Sequence, residues 1–375
     1  MARPGKSCGV SVARIDLSGV SKTLKEASGV RGLAGATFAI RDINLNVHEG
    51  QTMVVLGPSG CGKTTLLKLI AGLLAPETGT VRYNGMDMKD LPPGERRIGM
   101  VFQNYALYPH ITARWNILSY FLFRKKTPAL TAEARARFER TSDLMGVELA
   151  DLYDRKPTTL SGGEKQRVAL GRCITRNAAV FLVDEPFANL DQALREKYRV
   201  NLKRLLREFS ITTVYVTHDH HEALLLADVL AIMERGRIAQ VGTPQEIYDA
   251  PNTAFVASFL NINTGAPPIS LIDGQRMPQG QALDDAWVGV RPEHVEISAT
   301  PRTGALAGRV TDHLSLPPRQ VTTLTIRVGE DEVHANAQGD AIPPIGTRVW
   351  LTFQRYHVFD KASGRRRQSQ GVALS

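Results

Sequence analysis

A glycine-rich loop between an apolar run and a helix-forming run constrains this chain more than any other feature. The loop comprises Gly57, Pro58, Ser59, Gly60, Cys61, Gly62, Lys63, Thr64 and Thr65. It follows the apolar run 52–56 and precedes the run 66–70, an order that predicts strand, loop and helix. Glycines let backbone N–H groups converge on phosphate oxygens, and the N-terminus of the following helix adds its positive dipole end. The stretch therefore predicts a phosphate site in an α/β fold.

A second apolar run supplies the acids that such a site needs. Residues 179–183 show no alternation, which predicts a strand covered on both faces of a parallel sheet, and they lead into Asp184 and Glu185. Lys63 is expected to reach the β- and γ-phosphates of a nucleotide, while the Thr64 hydroxyl and Asp184 hold magnesium. Glu185 is expected to act as general base on the attacking water.

Two further predicted strands end in polar side chains that can assist the attack of water on a phosphate. The run 98–103 ends in the amide of Gln103, and the run 212–217 leads into His218. Strand ends that bring acids, an amide and an imidazole to one edge are typical of an α/β nucleotide site. Ser161 precedes another helix-forming run and is predicted to be its N-cap.

Charge and cysteine content indicate the compartment in which the protein works. The net charge of +9 includes one dense basic run at 365–367, and we interpret most of it as solvated surface. Cys8, Cys61 and Cys173 show no metal-binding spacing, which favours a reducing compartment. The N-terminus is polar, and no run of eighteen apolar residues occurs. We expect a protein that is neither secreted nor membrane-spanning by itself.

In this order, the motifs resemble those of the ATP-binding subunits of ABC transporters. Residues 161–166 match the signature motif, Gln103 the Q-loop, residues 189–191 the D-loop and His218 the switch histidine. The resemblance implies ATP and Mg²⁺ as ligands and an α/β P-loop NTPase cassette with a RecA-like core and a helical subdomain. It also implies catalytic roles for Glu185, His218 and Gln103, with Gln103 contacting magnesium. Beyond the loop, the implied nucleotide-binding residues are Ser161, Gly162, Gly163 and Asp191.

The resemblance further implies a head-to-tail dimer with a second ATPase subunit, either a second copy or a close paralogue. In such a dimer, Ser161 and Gly163 of one chain cap the γ-phosphate that Lys63 of the other chain holds. Charge neutralisation from both sides accounts for much of what phosphoryl transfer requires.

The region 102–110 resembles the Q-loop of bacterial importer ATPases of the maltose and sn-glycerol-3-phosphate type. In that branch this surface receives two transmembrane permease subunits, and an extracytoplasmic substrate-binding protein acts indirectly. Tyr105, Leu107 and Tyr108 fit either a buried core or a partner surface. The implied location is peripheral, at the cytoplasmic face of the inner membrane, with no nucleic acid as partner.

The implied cargo is a sugar, a polyol or glycerol phosphate. Importers of polyamines, iron or inorganic anions are an alternative, because they use similar ATPases. A different class of protein, a non-transport ABC ATPase acting on nucleic acid or ribosomes, is a second alternative. Such chains usually carry two cassettes or a long coiled-coil insertion, which this sequence does not show.

The expected domains are an ATPase domain over 10–260 with a helical subdomain over about 105–177, a linker over 261–286, a TOBE-like β domain over 287–360 and a disordered tail over 361–375. The motifs 289–294 and 357–360 resemble the start and end of a TOBE domain, a small all-β barrel of OB type. Strands are predicted at 287–290, 321–328 and 349–353. A hairpin around Arg235 and Gly236 precedes a last helix that ends at Leu260.

Two positions depart from the family pattern. Leu24 stands where an aromatic residue usually stacks on adenine, so Phe38 or other apolar side chains are candidates for that contact. Glu164 stands in the signature motif where this branch often has glutamine.

Overall fold

The computed structural model describes residues 12–24, 38–122, 124–145, 147–187, 192–261, 268–278, 283–316, 321–338 and 342–367. The chain divides into two compact units, Met1–Thr243 and Pro244–Ser375. The sequence predicts the end of the first domain later, at residue 260. The predicted domain bounds remain predictions.

The described strands of the first unit are β1 (Ile15–Leu24), β2 (Phe38–Val47), β3 (Thr52–Leu56), β4 (Thr78–Tyr83), β5 (Met86–Asp87), β6 (Ile98–Val101), β7 (Val180–Asp184), β8 (Thr212–Thr217), β9 (Val229–Glu234) and β10 (Arg237–Gly242). One sheet has the order β10-β9-β3-β8-β7-β6, in which all strands but β10 run parallel. The other sheet is antiparallel, with the order β2-β1-β4-β5.

The central strands of the parallel sheet confirm the prediction from their apolar runs. Every residue of β3, β7 and β8 is buried, as expected for strands covered on both faces. The register pairs Leu56 of β3 with Thr217 of β8, and Asp184 of β7 with Val216 of β8. The polar residues that follow these strands therefore lie at one edge of the sheet.

The described helices of the first unit are α1 (Lys63–Ala71), α2 (Ala113–Ile117), α3 (Ser119–Leu122), α4 (Pro128–Met145), α5 (Val147–Ala150), α6 (Gly162–Thr175), α7 (Gln192–Phe209) and α8 (His220–Leu226). One buried cluster joins α1 to both sheets through residues such as Leu66, Ile43 and Val216. A second cluster, which includes Ile117, Leu149 and Val168, packs the helical segment around α6. The predicted helical character of residues 112–177 is confirmed.

The second unit contains α9 (Pro244–Asp249), α10 (Ala254–Phe259), β11 (Ser270–Asp273), β12 (Ala286–Val290), β13 (Val295–Ser298), β14 (Leu306–Leu316), β15 (Val321–Val328), β16 (Asp331–Gln338), β17 (Arg348–Phe353) and β18 (His357–Asp360). Its sheets have the orders β11-β12-β18 and β13-β17-β14-β15-β16. The three strands predicted in this region correspond to β12, β15 and β17. Their inward apolar residues, among them Val288, Ile326 and Leu351, form its core.

Two predictions, one about the helix before Leu260 and one about the C-terminal tail, are wrong. The single helix predicted to end at Leu260 is instead two six-residue helices, α9 and α10, with Pro251 between them. Proline cannot donate the helical hydrogen bond, and Thr253 caps the second helix by accepting from Val256 N at 3.2 Å. The disordered tail is also wrong for residues 361–367, because the Arg367 guanidinium donates to the carbonyl oxygens of Asp284 and Asp285 at 2.9 and 2.7 Å. Residues 368–375 lie outside the described residues.

Candidate functional site

The phosphate loop has the backbone that its glycines predict. Gly60 and Gly62 lie in the left-handed region at φ 81° and 110°. A Cβ on Gly57 would lie 2.4 Å from the carbonyl oxygen of Met233, so a larger residue cannot occupy that position unchanged. The loop leads directly into α1, whose N-terminus begins at Lys63. Strand, loop and helix occur in the predicted order.

The ammonium group of Lys63 lies inside the loop. Its Nζ donates to the carbonyl oxygens of Gly57 and Pro58 at 2.8 and 3.1 Å, and the residue is 6% exposed. Glu185 Oε1 lies 3.8 Å from the same Nζ. A buried cation next to a glycine-rich backbone is suited to hold phosphate oxygens.

Thr64 and Asp184 bring two oxygen ligands together at the end of β7. Thr64 Oγ1 donates to Asp184 Oδ1 at 3.1 Å. Burial raises the pKa of Asp184, and the hydrogen bond from Thr64 opposes that change. Hydroxyl and carboxylate oxygens are hard donors of the kind that Mg²⁺ prefers, and protein sites for Mg²⁺ commonly use only one or two carboxylates besides phosphate and water. Within the described residues, no larger cluster of His, Cys, Asp and Glu competes for a metal ion.

Glu185 and His218 meet at the same edge. Glu185 Oε2 lies 3.0 Å from His218 Nδ1, within hydrogen-bond distance. The Glu185 backbone lies in the left-handed region at φ 42° and donates to Val216 O at 3.1 Å, which directs the side chain toward the loop. Of the predicted site residues, Lys63, Thr64, Asp184, Glu185 and His218 are therefore brought together within one chain.

Gln103 follows the end of β6. The sequence predicts a strand as far as Gln103, but β6 ends at Val101, and Gln103 lies exposed in the turn that follows. The next aromatic residue, Tyr105, is buried, and its hydroxyl donates to Pro186 O at 3.1 Å, one residue beyond Glu185. Tyr108 is 39% exposed. The two tyrosines therefore divide the core and surface roles that the sequence leaves open.

The signature motif forms the N-terminus of α6. Ser161 is its N-cap, as predicted, and shares a capping box with Glu164. The hydrogen bonds described for the Ser161 hydroxyl and backbone N–H both involve Glu164, rather than the phosphate loop of the same chain. Asp191 and the rest of the 189–191 motif lie outside the described residues, as do the side chains of Leu24 and Phe38.

A buried ionic cluster beneath His218 is not apparent from the sequence. Arg199 of α7 donates to Asp219, the N-cap of α8, and its Nη2 lies 3.6 Å from Glu222 Oε1. Glu222 accepts from the hydroxyls of Tyr215 and Thr217 at 2.7 and 2.8 Å, and burial raises its pKa. The cluster joins α7 to the segment that follows His218. The N-cap pattern of Asp219 is a local signal, but nothing in the sequence pairs it with Arg199.

Comparison with known proteins places this chain in a family. The ABC transporter family profile matches residues 40–188, and the TOBE domain profile matches residues 288–359. The sn-glycerol-3-phosphate import ATP-binding protein UgpC of Rhodopseudomonas palustris (strain BisB5) is 40% identical over 360 residues, which cover 89% of this chain and 95% of that protein. The UgpC 1 protein of Rhizobium etli (strain CFN 42) is 46% identical over 268 residues, covering 71% of this chain and 75% of that protein.

A solved structure shares the fold of the cassette. It is a dimeric ATP-binding cassette in a post-hydrolysis state, bound to ADP and Pi, with 30% identity and a TM-score of 0.50. The match covers 61% of this chain and 98% of that chain. ATP binding is therefore a property of the cassette family to which this chain belongs.

The resemblance inferred from the motifs is confirmed over both units, since the cassette and the TOBE domain are both matched. Among the helices that the structure describes, none is both long and apolar enough to cross a membrane. The chain belongs to the ATP-binding subunits of ABC importers, which hydrolyse ATP to drive transport and work with membrane permease subunits.

Proposed function

We propose that this ATPase subunit powers the import of sn-glycerol-3-phosphate. The observation that carries the proposal is the 40% identity with an sn-glycerol-3-phosphate import ATP-binding protein over 89% of the chain, which includes the C-terminal unit. This cargo belongs to the class expected from the sequence. The subunit works at the cytoplasmic face of the membrane, with an extracytoplasmic binding protein that delivers the cargo.

The chemistry at each ATP is proposed from the geometry of one edge of the sheet. Lys63 and the loop N–H groups hold the β- and γ-phosphates. Thr64 and Asp184, whose oxygens lie 3.1 Å apart, would hold Mg²⁺, and Gln103 would lie near the metal and the water in the closed dimer. When bound, Mg²⁺ would supply positive charge that offsets the charge of the phosphates. Glu185 accepts the proton of the attacking water, and His218, 3.0 Å from Glu185, donates to the γ-phosphate.

The site is completed by a second copy or a close paralogue. Ser161, Gly162 and Gly163 at the N-terminus of α6 face the γ-phosphate held by the other subunit, and Asp191 contributes at the same interface. Two observations support this assembly. The signature serine bonds within its own motif rather than to its own phosphate loop, and the solved cassette with ADP and Pi is a dimer. A phosphate that is held from two subunits links closure to hydrolysis.

A groove next to the Q-loop is the proposed docking site for the permease subunits. It has a volume of about 550 Å³, and its lining includes Leu73, Phe102, Tyr108, Tyr120, Arg172 and Arg176. Leu73 and Tyr108 are exposed apolar side chains of the kind that a partner covers. Arg172 donates to the carbonyl oxygens of Ala106 and Tyr105 at 2.7 and 2.8 Å. A partner in the groove therefore contacts the segment 105–106, which the Tyr105 hydroxyl links to Pro186 by a hydrogen bond.

Uptake of cargo tests the proposal. In the native cell, deletion of this subunit should abolish uptake of radiolabelled sn-glycerol-3-phosphate, and the wild-type chain should restore it. The Glu185→Gln chain is the matched control. It preserves the assembly but lacks the general base, so it should not restore uptake. Unchanged sn-glycerol-3-phosphate uptake together with a loss of polyamine, iron or anion uptake would contradict the proposed cargo. It would leave the ATPase assignment intact.

A further inference from the structure

The signature motif carries an acid next to the proposed γ-phosphate contact. Glu164 lies in the first turn of α6, two residues before Gln166 and three after the N-cap Ser161. An N-terminal helix end attracts anions through its free N–H groups and its dipole. A carboxylate in the same turn stabilises the helix by itself, but it also repels a second anion that approaches the same end.

Both oxygens of Glu164 are engaged. Glu164 Oε2 accepts from the Ser161 backbone N–H at 2.7 Å, and Oε1 accepts from Arg155 Nη1 at 2.8 Å. Hydrogen bonding to the Ser161 backbone, followed by contact with Arg155, lowers the pKa of Glu164 despite its partial burial. The carboxylate is therefore charged at neutral pH, with Arg155 as its paired cation.

Arg155 is held in place from several directions. Its backbone N–H donates to Leu152 O at 3.0 Å, and its carbonyl oxygen accepts from Ala113 N at 2.8 Å. Its other Nη donates to the carbonyl oxygen of Thr159, two residues before Ser161. The guanidinium thus contacts both the carboxylate and the segment that leads into the signature serine.

We propose that Arg155 is a positioning residue that neutralises Glu164, so that the N-terminus of α6 can receive the anionic triphosphate of the partner subunit. The inference rests on the proposed head-to-tail site. Without Arg155, the charge of Glu164 opposes the triphosphate. With glutamine at position 164, the capping box can persist, because glutamine also accepts from the N-cap N–H, and the charge is gone.

A double-variant cycle tests this role in the full-length chain. Each variant is made in the Glu185→Gln background, and the ATP concentration for half-maximal dimerisation is measured by light scattering. Arg155→Gln should raise that concentration on the order of tenfold at low ionic strength. Glu164→Gln alone leaves the Arg155 cation unpaired and should dimerise at an ATP concentration no higher than that of the parent, whereas the double variant Arg155→Gln/Glu164→Gln, with the net charge of the parent, should recover the parent value. Arg155→Lys, which keeps the charge, should also remain near the parent.

Each alternative outcome is decisive. An unchanged concentration for Arg155→Gln overturns the proposal. A double variant as weak as Arg155→Gln also overturns it, because Arg155 then acts only on the fold of residues 155–161. ATP binding by the monomer at high dilution should be the same in all variants. Ser161→Arg separates this inference from the proposed function: if it still dimerises with ATP, the head-to-tail site itself is wrong.

Discussion

Glu185 Oε2 lies 3.0 Å from His218 Nδ1, while Glu185 Oε1 lies 3.8 Å from Lys63 Nζ. One carboxylate thus bridges a side chain at the end of β8 and a side chain at the start of α1. Adjacent parallel strands place both groups at the same edge of the sheet. The central sheet of one chain therefore brings together the proposed base, the imidazole and the ammonium group proposed to bind phosphate.

Replacement of Glu185 by glutamine tests the general base. Glu185→Gln keeps the size of the side chain but cannot accept the proton of water, so we expect turnover to fall by about 10²–10⁴-fold. ATP affinity should stay within a few-fold of the parent. Phosphate release and equilibrium binding of a fluorescent ATP analogue measure the two effects. Glu49→Gln, an exposed acid in the turn after β2, is the matched control. Undiminished turnover would remove Glu185 from this role.

Asp184 should show a conflict between stability and function. Its folded pKa is raised by burial above the ordinary value of 3.8, so the folded chain binds this proton more tightly than the unfolded chain. Protonation of Asp184 therefore favours the folded chain at low pH, and this contribution to stability is lost as pH rises through the folded pKa. Asp184→Asn removes a buried charge and should raise the melting temperature of the nucleotide-free protein at pH 7. Its Mg²⁺-dependent ATPase rate should fall by at least about tenfold. A lower melting temperature with full activity would contradict both expectations.

Arg199 should be important for stability. Arg199→Met leaves the carboxylates of Asp219 and Glu222 without their buried cation, because Arg199 is 4% exposed and contacts both. Removal of one partner from a buried ionic cluster costs about 3–5 kcal/mol of unfolding free energy. Urea denaturation measures the loss. Arg204→Met on the exposed face of α7 is the matched control and should change stability by less than about 0.5 kcal/mol. Equal effects would show that the cluster is not a stabilising feature.

The sequence predicts the site residues whose positions follow from local patterns, but not those whose partners are placed by the packing of helices. Asp184 and His218 each come at the end of a predicted strand, and Lys63 follows the loop that a third predicted strand enters. The end of a parallel strand has a known position in an α/β sheet. Their convergence is therefore predictable from local patterns. Arg199 and Arg155 are not predictable in this way, because their partners are placed by the packing of α7 and α6.

The errors in the C-terminal tail and in the helix before Leu260 have separate physical origins. A basic run at 365–367 has the composition of a disordered tail, but Arg367 is fixed by carbonyl oxygens of Asp284 and Asp285, about eighty residues earlier. Composition does not show whether backbone acceptors lie within reach. The break between α9 and α10 did have a local signal, Pro251 followed by a threonine N-cap, which periodicity alone does not reveal.

Acid should destabilise the second unit. Burial, with a smaller effect of Arg291, Arg366, Arg355 and His294, lowers the pKa of His357 from 6.5 to about 4. The unfolded chain therefore binds more protons between these values, and stability is lost as pH falls from about 6.5 to about 4. The resulting loss of unfolding free energy is up to about 3 kcal/mol. His357→Gln should reduce the difference in melting temperature between pH 7 and pH 5. An unaltered difference in His357→Gln would contradict the assignment.

Mixing two defective subunits tests the shared ATP site most directly. Lys63→Ala removes the phosphate contact of one chain, and Ser161→Arg blocks the signature motif, each in the Glu185→Gln background. Neither variant alone should dimerise with ATP. A mixture should form heterodimers that trap one nucleotide per pair, because the intact loop of the Ser161→Arg chain meets the intact signature motif of the Lys63→Ala chain. A mixture that stays monomeric, or a Ser161→Arg chain that dimerises alone, would contradict a site built from two subunits.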